Sequence, residues 1–368
     1  MTADRNAWFA RVIAAVAAFD VLAMTQVPWG ISAPRPLAAG DPFVALARMP
    51  WALSALSLVA WIGLYLFARA PERARFAAVA VAAGFILEET LARVQSGHEE
   101  PFFQPAGAVL GWAGAIILLR AVASTPVSVA EARRAGVAGA TAVIGASYFN
   151  AAISKLLAEG PAWAWHPTHV RAMTLAHQPL PPNALDDLVV GALARSAALG
   201  RAAAVFTLVI ELGGLAFALW PRARRVASLA IVAWHLGLLY LTGICFYGGL
   251  VLIVVLGDRR LPERIERVFA RLRLRERRRA TSFALLVTLA TLPLVALTRS
   301  SQRGMATAIV MLMAFLVVAI TFWSRETIDA DEAAEPVDWR AGSVVVLALA
   351  AVIAGLYLLP ITPHDAHH

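Results

Sequence analysis

The chain is 368 residues long, 60% hydrophobic and 15% charged, with a mean hydropathy of +0.69. A soluble domain carries about 45–50% apolar and ~25% charged residues, so a soluble globular protein is excluded. Thirty-two basic against twenty-four acidic residues give a net charge of +8. The basic residues fall in short clusters between apolar stretches, which is the pattern of a multi-span membrane protein and not of a nucleic-acid binder.

A membrane crossing takes ~20 mainly apolar residues. In chain order the candidate spans are 10–28, 51–69, 76–93, 104–123, 136–158, 201–220, 281–298, 306–323 and 341–359. The unbroken apolar run 226–257 is too long for one ordinary crossing. The expected fold is an all-α polytopic transmembrane helical bundle of about ten spans, with a broken or re-entrant hairpin at 226–257. The stretch Thr242-Gly243-Ile244-Cys245-Phe246-Tyr247-Gly248-Gly249 is the expected turning point of that hairpin. Span 10–28 has the flanks of a signal peptide, but Asp20 interrupts it and no small-x-small cleavage site follows, so a retained anchor is expected.

Arginines set the expected orientation. Arg5 and Arg11, then Arg69, Arg73 and Arg75, then Arg133 and Arg134, then Arg222, Arg224 and Arg225 all fall on one side of successive spans. By the positive-inside rule this is the cytoplasmic side of the membrane, with the N-terminus inside. Segment 259–279 alternates Arg and Glu with apolar residues at near-helical spacing. It reads as a basic amphipathic helix on the inner leaflet, acting as a topology anchor.

Every basic residue except Lys155 is arginine. Base-composition bias accounts for the scarcity of lysine but not for the one that remains. The single cysteine, Cys245, excludes a disulfide framework, a thiolate zinc site and a CxxC redox pair. No Walker loop, GxGxxG, HExxH or GxSxG occurs, so chemistry has to come from polar groups inside the spans. Such groups are costly there unless paired or solvated.

Lys155 stands near the outer end of span 136–158, with Glu159 one turn on and Tyr148 two turns back. A snorkelling Lys155–Glu159 pair is the structural alternative to function. Glu211 and His235 lie at similar depth on neighbouring antiparallel stretches, where a Glu–His bridge would satisfy both. Glu88, Glu89 and His98 lie at or beyond the outer part of span 76–93. Trp163 and Trp165 suit an interfacial aromatic belt, and the pair His166, His169 is too little to define a metal site.

The stretch Tyr148-Phe149-Asn150-Ala151-Ala152-Ile153-Ser154-Lys155-Leu156, followed by Trp163, resembles a segment of vitamin K-dependent gamma-carboxylase. There an aromatic pair and small residues precede a lysine–leucine and a tryptophan. The resemblance continues through Leu185 to Gly200, Glu211-Leu212-Gly213-Gly214, His235 and Gly243-Ile244-Cys245-Phe246-Tyr247, with His98 upstream. It covers residues 8–300, and the chain looks like a bacterial member of this group, a horizontally transferred transmembrane domain protein. The resemblance implies that Lys155 is the base and His98 its assistant. It implies a quinone pocket drawing on Tyr148, Asn150, Trp163, Glu211, His235 and Phe246, facing outward. It also implies a reduced vitamin K or menaquinone as cofactor, with dioxygen, optional carbon dioxide and no metal. The reaction would be deprotonation and oxygenation of the reduced naphthoquinone, as in an epoxidase or carboxylase-like lyase.

The large external domain of the animal carboxylase is replaced here by 301–368, with two further spans and a short tail, and the family's paired lysines are reduced to one behind Ser154. The expected partners are the lipid bilayer, a quinone-type small molecule and an exported peptide or protein, with no nucleic acid. The alternatives are a non-catalytic quinone- or lipid-binding protein and a helper in maturation or immunity of an exported peptide.

Overall fold

The computed structural model describes residues 5–26, 42–47, 49–94, 103–165, 184–242 and 247–271. Among them there are helices and no strands. These are α1 (Arg5–Gln26), α2 (Pro42–Ala47), α3 (Pro50–Arg69), α4 (Ala74–Val94), α5 (Phe103–Val122), α6 (Val129–Glu159), α7 (Ala162–Trp165), α8 (Ala184–Arg195), α9 (Ala197–Leu219), α10 (Pro221–Thr242), α11 (Tyr247–Gly257) and α12 (Leu261–Arg271). Four of them are long and apolar enough to cross a membrane: Trp51–Arg69, Gln104–Val122, Val129–Glu159 and Ala197–Leu219. Spans 281–298, 306–323 and 341–359 lie outside the described residues.

The boundaries follow local chemistry. Pro50 occupies the first turn of α3, where its missing N–H removes nothing from the helix. Ser128 caps α6 in a reciprocal box with Glu131, each side chain meeting the other residue's backbone N–H at 3.2 and 2.8 Å. At the other end Gly160 stops the helix with φ of 62°, a conformation that favours glycine. Ser196 caps α9 through the N–H of Leu199. Pro221 then opens α10 directly after Trp220, so two helices meet at a one-residue corner.

Helix α6 is the spine of the bundle, packing against α1, α5, α7, α9 and α11. Its contacts depend on missing side chains. A Cβ on Gly111 of α5 would come 2.6 Å from the Gly139 carbonyl oxygen, and one on Gly139 would run into the Gly111 carbonyl. On the α9 side, Gly145 and Gly214 face each other in the same way. Helices inside a membrane gain little from hydrophobic transfer between them, so small residues that let backbones approach supply the association through close packing. Trp112 lies over Gly136, donates its indole N–H to the Pro71 carbonyl at 2.9 Å and meets Phe67 edge-on at 5.8 Å.

One end of the bundle collects most of the described arginines. Arg133 bonds Glu72 at 3.0 Å across the α3–α4 turn, and Arg5 reaches Glu263 of α12 at 3.4 Å. The apolar face of α12, with Leu261 and Ile265, packs against the core, and Arg264, Arg267 and Arg271 are exposed. The long apolar run is divided between the 22-residue α10 and the 11-residue α11. The expected turning residues 243–246 lie outside the described residues. Ser228 of α10 donates to the Ile253 carbonyl at 3.0 Å, and Gly248 packs against the buried Asp20 of α1.

Candidate functional site

Away from the arginine-rich end, α6, α9 and α10 bring four polar side chains of the sequence analysis into two adjoining pairs. The antiparallel α6–α9 contact at Gly145 and Gly214 sets the register. Past this contact the α6 chain rises toward Lys155 and the α9 chain runs back to Glu211.

The Lys155 ammonium donates to both Glu211 carboxylate oxygens, at 2.7 and 2.8 Å, and to the Ala151 carbonyl of its own helix at 3.3 Å. Trp163 of α7 closes over it, with the ammonium 5.5 Å from the ring centroid. This is within reach of the ring's negative face. The side chains differ in access: Lys155 is 28% exposed and Glu211 only 4%. The arrangement is therefore a sequestered carboxylate with a cation that still meets its surroundings. The α7 turn is tied down from α9, where Arg201 donates to the Trp165 carbonyl at 3.2 Å.

The second pair is Tyr148 with His235. The phenol oxygen and Nε2 are 2.6 Å apart, both side chains are buried, and the rings meet edge-on at 5.5 Å. Trp234 packs against both rings, at 6.5 Å from Tyr148 and 4.8 Å from His235. Its indole N–H donates to the Thr207 hydroxyl at 3.3 Å. Asn150, on α6 between Tyr148 and Lys155, has a buried Nδ2 with no hydrogen-bond partner among the described residues. A buried amide donor left this way costs about 1–3 kcal/mol, so it is a group that a bound acceptor would satisfy.

Two pairings differ from those expected. The carboxylate against Lys155 is Glu211, not Glu159, because Glu159 is exposed at the end of α6 whereas Glu211 is cut off from water. An isolated buried carboxylate gains far more from a cation than a solvated one does. His235 meets Tyr148, and Glu211 turns to Lys155, so the two members of the expected Glu211–His235 bridge each have another close partner. Lys155, Tyr148, Trp163, Glu211 and His235 are thus brought together, with Asn150 on the same helix. His98 and Phe246 lie outside the described residues, as do His166 and His169.

Sequence reasoning passed over Trp234, Arg201 and the Gly145–Gly214 contact. The Trp234-His235 dipeptide was a legible signal for the first, and Gly213-Gly214 beside Glu211 for the last. Among the described residues no group of three His, Cys, Asp or Glu side chains could hold a metal ion. Compared with known proteins, the chain matches no family model, no curated protein and no solved structure.

Proposed function

We propose that this is a multi-pass membrane protein of the vitamin K-dependent carboxylase type, with its arginine-rich end cytoplasmic in a bacterial inner membrane. In this reading Lys155 is the base that deprotonates a reduced naphthoquinone, as the resemblance of its sequence surroundings implies. The observation that carries the reading is the Lys155–Glu211 pair. The one lysine of the chain is held between a buried carboxylate and an aromatic face, yet is still partly open.

The residues present fit such a ligand in kind. They offer a nitrogen base, an aromatic face on Trp163 and an unsatisfied amide donor on Asn150. A reduced naphthoquinone, when bound, supplies the hydroxyl to be deprotonated and the ring that dioxygen oxidises. The chain's own part is proton handling. Transfer of one proton from the Lys155 ammonium to Glu211 leaves a neutral amine beside a neutral carboxyl, with no net change of charge in the pocket. The amine then takes a hydroxyl proton, and the restored ammonium stands beside the negative charge left behind. An arginine cannot take this role, because guanidinium stays charged at any relevant pH. Tyr148 and His235 act as positioning residues, holding α6 and α10 in register behind the lysine. Capture of carbon dioxide, and action on an exported peptide or protein, would be further steps.

The test is twofold. Lipid extracts of the purified protein should contain a naphthoquinone by mass spectrometry. Oxygen-dependent conversion of reduced menaquinone to its epoxide should vanish in K155R, which retains a cation against Glu211. Unchanged turnover in K155R overturns the reading.

The same ion pair also favours a second reading, a non-catalytic quinone- or lipid-binding protein in which Lys155 only neutralises Glu211. In that case K155R keeps both fold and bound ligand, and no epoxide forms with the unaltered chain either.

A further inference from the structure

The arginine-rich end holds an arrangement that the lysine site does not use. Arg224 is buried at the α9–α10 corner, with Nε donating to the Phe217 carbonyl at 2.8 Å and Nη2 to that of Ala218 at 3.1 Å. It therefore caps the end of α9, where the helix dipole favours a cation. Arg259 lies close enough to repel Arg224, and Arg5 close enough to repel Arg259. The described carboxylates nearby already have arginine partners, Glu263 on Arg5 and Asp258 on Arg264, both at 3.4 Å. Converging like charges of this kind raise the energy of the fold unless an anion from outside shares them.

The surroundings say what kind of anion. Around the same corner Trp220, Val226 and Leu229 are exposed to 60%, 70% and 63%. Exposed Arg222 and Arg225 stand among them. Directly after Arg259 and Arg260, α12 turns its apolar face to the core and its arginines outward. A ligand that satisfies both features has a negative head and apolar tails.

We propose that the arginine-rich end, around Arg225, Arg259 and the exposed face of α12, binds the headgroup of an anionic phospholipid. Its acyl chains lie along the apolar surface of Val226 and Leu229. The inference rests on the membrane part of the reading above and is independent of the chemistry assigned to Lys155.

The experiment is native mass spectrometry of the full chain in detergent with equal amounts of phosphatidylglycerol and phosphatidylcholine of identical acyl chains. The unaltered protein is expected to retain phosphatidylglycerol preferentially. The R259Q/R264Q/R267Q variant should lose that preference by about tenfold or more, since each arginine at an anionic surface contributes roughly fivefold. Glycerol phosphate at the same concentration should displace none of the bound lipid. Equal retention of the two lipids, a preference unchanged in the variant, or displacement by glycerol phosphate overturns the proposal. R225Q, at a position outside the α9 cap, gives a second variant should the triple substitution unfold the chain, and is expected to weaken the preference about fivefold. A protein that stays soluble without detergent and retains neither lipid contradicts the membrane reading itself, whereas one that retains both lipids without headgroup preference contradicts only this inference.

Discussion

Lys155 and Glu211 are unequal partners, and their substitutions should behave unequally. Removing the cation leaves a carboxylate that is only 4% exposed with nothing to balance it. Breaking a buried pair costs ~3–5 kcal/mol, and the partial exposure of Lys155 puts K155A near about 3 kcal/mol. E211Q removes the sequestered charge instead and leaves a lysine that can turn toward its surroundings, so its loss should be smaller. Unfolding of both variants by denaturant in the same micelles checks the order, and equal losses would contradict the asymmetry. Tyr148 poses a different question, because Y148F leaves Nε2 of the buried His235 without its phenol partner. The expected loss is about 1–3 kcal/mol. The lone lysine was conspicuous in the sequence, but its partner was not. Pairing Lys155 with Glu211 requires knowing that α6 and α9 touch, and residues 56 positions apart carry no local sign of that.

At the level of elements, neighbouring glycines of α9 give a sharp contrast. A Cβ on Gly214 would collide with the Gly145 carbonyl, whereas one on Gly213 meets nothing within 4 Å. G213A should therefore gain about 0.5–1 kcal/mol from the better helix former, and G214A should lose stability as α6 and α9 are forced apart. Thermal unfolding of the two variants should shift in opposite directions.

Much of the helix layout was legible. Spans 51–69, 76–93, 104–123 and 201–220 lie within a few residues of α3, α4, α5 and α9. Three of these, α3, α5 and α9, are long and apolar enough to cross a membrane, and apolar content marks them because a helix in a bilayer must satisfy its own backbone. Span 136–158 undershot α6 at its start, since the first turns carry Glu131, Arg133 and Arg134 and are held by the Ser128 cap, which an apolar window does not register. At ~1.5 Å per residue, the 31 residues of α6 extend about 46 Å, well beyond a ~30 Å hydrocarbon core. The division of 226–257 was legible as a need and as a place, since α10 ends at Thr242 and α11 begins at Tyr247, within the expected turning stretch. What the apolar run does not carry is how α11 is seated, against Ser228 of α10, Asp20 of α1 and Gln104 of α5.

For the molecule as a whole, charge separates the two ends. The Arg133–Glu72 and Arg5–Glu263 pairs and α12 gather at one end, and the lysine pocket lies away from it. The proposed orientation then makes a simple expectation. In a background with Cys245 replaced by alanine, L157C, at a residue that is 73% exposed, should react with a membrane-impermeant maleimide in intact cells. R134C, at the other end of the same helix, should react only after the membrane is opened. The reverse pattern would invert the topology.

The short helix α11 has a consequence for the lysine pocket. Its Ile253 stands beside Ser228, and five more residues, about 8 Å, bring it to its first turn near the level of residue 233. Beyond that level, where His235, Tyr148 and Lys155 lie, one described helix fewer passes through the bundle. A helix with its side chains is ~10 Å across. Among the described residues the lysine is therefore enclosed by α6, α7, α9 and α10, while α11 packs nearer the charged end.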